Sequence, residues 1–152
     1  MTSCAPRSEN LHWFEPHTMN LAITDREREG IVLLDLKGRI TAGEEVAAFR
    51  SAFEPVAETP QPRLILNLKE VDYVDSTGLG AMVLCSNSIK KAGGTAKLLH
   101  LNRRNLELLV LTKIDTMFEV FDDEMDAVNS FFPDREIKRF DILSFVRNLR
   151  EE

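Results

Sequence analysis

Two hydroxyl side chains near the middle of the chain, Ser76 and Thr77, follow two carboxylates, Asp72 and Asp75. The stretch reads VDYVDSTGLG, and a helical pattern of apolar residues comes after it. Asp, Ser and Thr are the residue types that begin helices, because their side-chain oxygens accept the unpaired backbone N–H groups of the first turn. A hydroxyl in this place is also a candidate acceptor for a phosphoryl group.

The residue types allow two interpretations of Ser76. In the first, Ser76 is the N-cap of a helix and nothing more, which is the commonest reason for a serine before a helix. In the second it is a phosphorylation switch, because the positive end of the helix dipole tolerates added negative charge. Gly78 and Gly80 would then leave a bare surface that a partner's backbone could approach closely. Spacing alone does not decide between the two.

An enzymatic role would need a set of converging groups that the sequence around Ser76 does not supply. Asp72 and Asp75 are two acids in one predicted loop, but no histidine or lysine in sequence reach completes a base and nucleophile pair. Ser76 also lacks the GxSxG context of many hydrolases, because Asp75 precedes it and Thr77 follows it. We therefore expect no catalytic residue, no cofactor and no enzymatic activity.

The stretch VDSTGLG after a buried strand resembles the signature of the STAS domain, the fold of anti-sigma factor antagonists. The resemblance extends from about Met19 to about Ser130. It implies that the serine directly after the aspartate, here Ser76, is phosphorylated by an anti-sigma factor that is also a serine kinase, with Thr77 as the second candidate. It also implies that the unmodified protein binds this anti-sigma factor and frees a sigma factor. A phosphatase would reset the cycle.

The resemblance further implies a partner-binding surface around the switch serine. Family members often read Gly-x-Leu-Asp at the first loop, and here Gly38-Arg39-Ile40-Thr41 puts Thr41 where the acid is expected. The predicted surface is a flat patch at the helix start, together with the loop ahead of it and this first loop. It comprises Asp72, Asp75, Ser76, Thr77, Gly78, Leu79 and Thr41.

The overall composition limits the kinds of partner. A net charge of −6 over 152 residues gives no basic footprint, so no nucleic acid is expected. No apolar run approaches the roughly 18 residues of a membrane span and no signal peptide is recognised, so no direct membrane insertion is expected. Cys4 and Cys85 make no disulfide framework, which favours a cytoplasmic location. His12 and His17 have no cysteine or carboxylate cluster at ligand spacing, so no metal is expected.

The elements that position Ser76 begin with a buried strand. Residues 64–68 form a short, nearly continuous apolar run, which is typical of a strand covered on both faces. Residues 71–75 interleave apolar and acidic side chains and are predicted to form a loop. The helix that starts at Ser76 is predicted to end near Lys91, because Gly93-Gly94 stops it.

Strands and helices alternate in the rest of the chain. A strand is predicted over residues 20–24, a charged turn over 25–30, and an apolar strand over 31–36 that Gly38 breaks. A helix is predicted from about residue 42 to Glu54, where Pro55 should end or kink it. Further strands are predicted over 95–101 and 117–121, with a helix capped by Asn102 between them. Asp122 and Asp123 should cap one more helix.

This alternation predicts an α/β fold with parallel central strands. The resemblance implies a STAS-like mixed β-sheet with helices packed on one side. We expect a poorly ordered leader over residues 1–18, a STAS domain over 19–132 and a C-terminal extension over 133–152. The extension carries an extra amphipathic helix, which must bury its apolar face on its own domain or on a second copy of the chain. A homodimer therefore stays open.

Other functions of a STAS domain also stay open. The protein could be a STAS scaffold in a signalling assembly, or a soluble regulatory subunit of a lipid or anion transport system. It could also be an unmodified dimerising domain that uses the C-terminal helix. A gene for a small serine kinase beside its own gene would favour sigma control, whereas a neighbouring transporter gene would favour the transport alternative.

Overall fold

Residues 20–136, the part of the chain that the computed structural model describes, form a five-stranded sheet with helices on its faces. The strands follow one another in space as they do in sequence: β1 (Leu21–Arg28), β2 (Ile31–Ile40), β3 (Arg63–Val74), β4 (Thr95–Leu99) and β5 (Val120–Phe121). The helices are α1 (Glu44–Ala57), α2 (Ser76–Lys91), α3 (Arg103–Leu111) and α4 (Glu124–Asn129), with a 3-10 turn at Ile114–Met117. The strand β1 pairs antiparallel with β2, and all later pairs are parallel.

The central strand β3 has apolar side chains on both faces, so it divides the core into two layers. Leu64, Leu66 and Leu68 lie in the larger layer, which α1, α2 and α3 cover. Ile65 lies in the smaller layer on the other face, which α4 covers with Val128. The predicted mixed α/β sheet with parallel central strands is therefore confirmed. Three of the four described helices share one side, and α4 takes the other.

The sequence interpretation of α2 was right at both ends, since the helix runs over Ser76–Lys91. Asn102 and Asp123 are also the N-caps that were expected for α3 and α4. The short helix α4 lies near the C-terminal end of the described part. The leader and nearly all of the segment predicted to carry the extra amphipathic helix fall in residues 1–19 and 137–152, outside the described residues.

The predicted loop over residues 71–75 is wrong, because β3 continues without a break to Val74. The neighbouring strand β2 is also longer than expected and reaches Ile40, whose partner in the sheet is Val74. Gly38 does not end β2. Its φ of 117° is accommodated by irregular pairing next to it, and a side chain there would collide with the backbone of Asn20. Backbone pairing between the two strands overrides the mixed pattern of side chains.

Two other boundaries differ from the prediction near the start of the domain. Residues 25–28 belong to β1 and not to a turn, because Arg26 and Arg28 reach Glu124 of α4 and hold the charged end of the strand in place. Pro55 lies inside α1, which ends at Ala57. A proline in the last turn removes only one backbone hydrogen bond, so the helix continues past it.

Smaller differences occur towards the C-terminus. The strand β4 ends at Leu99, because His100 has a φ of 60° and turns the chain. The last strand is only Val120–Phe121, since Met117 belongs to the 3-10 turn. Met125 was predicted to share a face with the buried Val128, but its side chain is half exposed.

Cys85 lies in the core, as its apolar neighbours predicted. Its side chain is completely buried, and this burial raises the pKa of the thiol to about 12. A buried, protonated thiol contributes to the packing of the core and does not act as a nucleophile. Among the described helices, none has the length and apolar character that crossing a membrane requires.

Candidate functional site

Ser76 is the first residue of α2 and follows β3 after one residue, and its side chain is exposed, as is that of Thr77. The N-cap is Asp75, whose Oδ1 accepts a hydrogen bond of 2.7 Å from the backbone N–H of Gly78. The interpretation of Ser76 as the N-cap is therefore wrong. The carboxylate before it performs that task, so the start of α2 does not depend on the Ser76 hydroxyl.

Asp75 also connects α2 to the loop after β2. Its Oδ2 accepts a hydrogen bond of 3.0 Å from the N–H of Ala42, and its own N–H donates to Ile40 O over 3.3 Å. Both carboxylate oxygens are thus used within the domain. Asp75 therefore fixes the position of the neighbouring residues, and its predicted contact with a partner stays a prediction.

Gly78 and Leu79 differ from the predicted flat patch, because both are buried. A Cβ atom at Gly78 would collide with the carbonyl oxygen of Ile40 and would stand 3.0 Å from Cγ1 of Val74. Gly78 therefore serves the close approach of α2 to the end of β2 and offers no surface to a partner. Gly80 is the exposed glycine of this turn and has open space around it.

The two remaining predicted residues lie on the same end of the sheet. Asp72 is exposed on β3, four residues before Ser76. Thr41 is half-buried in the loop after β2. It precedes Ala42, whose backbone N–H donates a hydrogen bond to Asp75. The Glu45 carboxylate, which lies four residues after Thr41, accepts a hydrogen bond of 2.8 Å from the N–H of Asn20. The Asn20 N–H is the main cause of the lowered pKa of Glu45.

An apolar groove of about 300 Å³ runs beside Ser76, between the start of α2 and the helix α3. Ser76 and Tyr73 line one side of it, and Arg104, Leu108 and Leu111 line the other. Of these lining residues, only Ser76 was predicted to belong to the site. Tyr73 was assigned to a predicted loop. The α3 side chains are distant from Ser76 in sequence, so only the fold shows that they lie beside it.

Two asparagines hold α3 in place along this groove. The side-chain N–H groups of Asn102 and Asn105 both donate to Val71 O of β3, each over 3.0 Å. Asn102 Oδ1 in turn accepts from the N–H of Asn105 over 2.8 Å and caps α3. The carbonyl of Val71 accepts both side-chain bonds, which fix the far wall of the groove to the strand that leads to Ser76.

Within residues 20–136 no group of three or more His, Cys, Asp or Glu side chains is arranged to hold a metal ion. The side chains that line the groove include neither a histidine nor a lysine. What this end of the sheet presents is an exposed hydroxyl at a helix start, an exposed carboxylate and an apolar groove. Such a surface is suited to contact with another protein.

Comparison with known proteins shows the family to which the domain belongs. Residues 22–127 match the model of the STAS domain family, and this range includes Ser76 and both walls of the groove. The chain belongs to the STAS domain family.

Particular relatives include two antagonists of anti-sigma factors. The anti-sigma-B factor antagonist of Bacillus subtilis is 30% identical over 102 residues, which is 67% of this chain and 92% of that protein. The anti-sigma F factor antagonist of Paenibacillus polymyxa is 23% identical over 110 residues, which is 72% of this chain and 94% of that protein.

The fold is also shared with the anti-sigma factor antagonist SpoIIAA, whose structure is known in two forms. The unphosphorylated form superposes with a TM-score of 0.63 at 14% identity, over 76% of this chain and 100% of that one. The phosphorylated form from Bacillus superposes with a TM-score of 0.57 at 15% identity, over 72% and 99%. At these identities the likeness establishes the fold.

Proposed function

We propose that the protein is an anti-sigma factor antagonist that acts in the cytoplasm and is switched by phosphorylation of Ser76. In the unmodified state it binds an anti-sigma factor and thereby releases a sigma factor. The observation that carries this proposal is the exposed Ser76 side chain at the first position of α2, next to a cap supplied by Asp75. A phosphoryl group can be added there without removing a hydrogen bond on which the helix start depends.

In the proposed modification, the Ser76 hydroxyl oxygen attacks the γ-phosphorus of an ATP molecule bound by the anti-sigma factor. The bond between this phosphorus and the bridging oxygen of ADP breaks, and the hydroxyl proton passes to a base on the kinase. The nucleotide and its magnesium ion belong to the kinase and not to this chain. A phosphatase later transfers the phosphoryl group to water and restores the hydroxyl.

The added charge acts differently on the fold and on the complex. A phosphate brings about −1.5 to −2 charges at neutral pH, and the positive end of a 16-residue helix tolerates such a charge in water. A bound partner would instead bury the phosphate next to the carboxylate of the preceding residue, Asp75, and burial of like charges is costly. Dissociation of the anti-sigma factor is the expected result.

The partner contacts are proposed to include the exposed Asp72, Ser76 and Thr77, together with Thr41 in the adjacent loop. Asp75 and Leu79, which line the groove beside Ser76, stay among the proposed contacts, and the buried Gly78 supports this surface from below. Support comes from the curated relatives, which are named antagonists of anti-sigma-B and anti-sigma F factors. A protein of the same fold also exists in a phosphorylated form.

The proposal is tested by incubating the purified chain with the anti-sigma factor of the same organism and ATP, followed by intact-mass measurement. We expect the mass of one phosphate on the wild-type chain and on Thr77→Ala, and none on Ser76→Ala. Thr77→Ala is the matched control, because Thr77 is the neighbouring exposed hydroxyl on the same turn. A phosphate that persists in Ser76→Ala and disappears in Thr77→Ala would move the switch to Thr77.

A further inference from the structure

The groove beside Ser76 brings exposed apolar side chains together in one concave place. Of the four large apolar side chains that are exposed in the described part of the chain, Tyr73 and Leu111 both line it. Leu111 is 79% exposed and Tyr73 is 39% exposed, although both belong to regular elements next to the core. Solvent-exposed apolar side chains gathered in one concave place are a mark of a binding surface.

The groove is continuous with the surface proposed for the phosphorylation switch. Asp75, Ser76 and Leu79 form part of its lining, so a protein that contacts the Ser76 hydroxyl also covers the mouth of the groove. The opposite wall is α3, which Asn102 and Asn105 attach to β3. Hydrogen bonds within the domain therefore position both walls of the groove.

One cation stands at the rim of this groove. Glu107, which also lines it, pairs with Arg103 through atoms 3.3 Å apart. Arg104 is exposed, and residues 20–136 provide it with no ion-pair partner. In a chain with a net charge of −6, an arginine that the described residues leave without an ion pair is suited, beside an apolar groove, to a partner carboxylate.

We propose that this groove receives an apolar side chain of the same anti-sigma factor that acts on Ser76, and that a neighbouring carboxylate of that partner pairs with Arg104. This inference rests on the proposed function and adds the chemistry by which the partner is recognised. The partner segment carries a leucine-like or aromatic side chain between the walls formed by Tyr73 and Leu111. Ser76 then controls a complex to which the groove residues of β3 and α3 contribute.

The test measures the affinity of purified variants for the anti-sigma factor of the same organism by titration calorimetry. Leu111→Gln should weaken binding about fivefold or more, because it removes an apolar contact from the wall of the groove. Arg104→Glu should weaken binding about tenfold or more, because it places like charges together. The matched controls are Met125→Gln, an exposed apolar residue on α4, and Lys91→Glu, a charge at the far end of α2. Both should remain within about twofold of the wild type.

Each outcome has a separate meaning, provided that urea unfolding shows the variants to be folded. If both Leu111→Gln and Arg104→Glu bind with wild-type affinity, the groove is not part of the partner interface, and the proposed function stays intact. If the wild-type chain does not bind the anti-sigma factor, the proposed function is wrong, and so is the inference that this partner enters the groove. If Leu111→Gln changes the mass in analytical ultracentrifugation and not the affinity, the groove belongs to an interface between two copies of this chain, and the inference is wrong.

Discussion

At the scale of single residues, the site depends on a division of tasks between Asp75 and Ser76. The Asp75 carboxylate accepts one hydrogen bond from the N–H of Gly78, which caps α2, and one from the N–H of Ala42. One side chain therefore connects the helix start to the loop after β2. The adjacent hydroxyl is left for another role. A residue that supports the fold and a residue that is available for modification thus stand side by side in the chain.

The two glycines of this turn provide a matched pair of substitutions. Gly78→Ala should lower the free energy of unfolding by about 1–3 kcal/mol, because the added methyl group collides with Ile40 O. Gly80→Ala should leave stability unchanged or raise it by up to about 1 kcal/mol, because alanine favours a helix and nothing lies within 4 Å of the new atom. Urea unfolding of both variants measures the difference. Equal stability of the two would show that α2 does not approach β2 as closely as described.

At the scale of elements, α4 is attached to the edge strand β1 by a cluster of charges. The Glu124 carboxylate of α4 accepts from Arg26 over 2.7 Å and 2.9 Å and from Arg28 over 2.7 Å. The hydrogen bonds from Arg26, followed by those from Arg28, lower the pKa of Glu124 to about 2. Arg26 also pairs with Asp35 of β2, so the cluster connects three elements.

This cluster predicts a pH dependence of stability. Because the pKa of Glu124 is depressed by folding, its contribution is complete above about pH 5 and is lost as the pH falls towards about 2. Glu124→Gln should therefore be less stable than the wild type by about 1 kcal/mol at pH 7, and the gap should narrow as the pH falls below about 5 and close only below about pH 2. Urea unfolding at several pH values measures the gap.

The control for this experiment is Glu58→Gln, since Glu58 is an exposed glutamate that follows α1 and lies outside the cluster. Its pH profile should run parallel to that of the wild type. A constant gap between Glu124→Gln and the wild type across the acid range would mean that the Glu124 carboxylate gains no stability from the two arginines.

At the scale of the whole molecule, the sequence predicted the class of fold and the position of Ser76 at the start of α2. Strongly apolar runs and capping residues are local signals, so α2, the caps Asn102 and Asp123, and the buried strand around Leu66 could be recognised. The lengths of β1, β2 and β3 could not, because pairing with a neighbouring strand extends each of them beyond its own apolar pattern.

The candidate site was predictable only in part, for a related reason. The exposure of Ser76 agrees with its residue type, but the burial of Gly78 results from the end of β2, which is distant in sequence. The groove needs α3 to stand beside β3, and this depends on asparagine side chains that bond to Val71 O. Contacts between distant segments determine the surface, and no local pattern contains them.

The most direct measurement of the switch compares the affinities of Ser76→Asp and Ser76→Asn for the anti-sigma factor by titration calorimetry. The two side chains have nearly the same size and differ by one negative charge at the start of α2. We predict that Ser76→Asp binds more than about tenfold more weakly, a difference of about 1.4 kcal/mol or more. Equal affinities would contradict the claim that charge at Ser76 decides whether the partner binds.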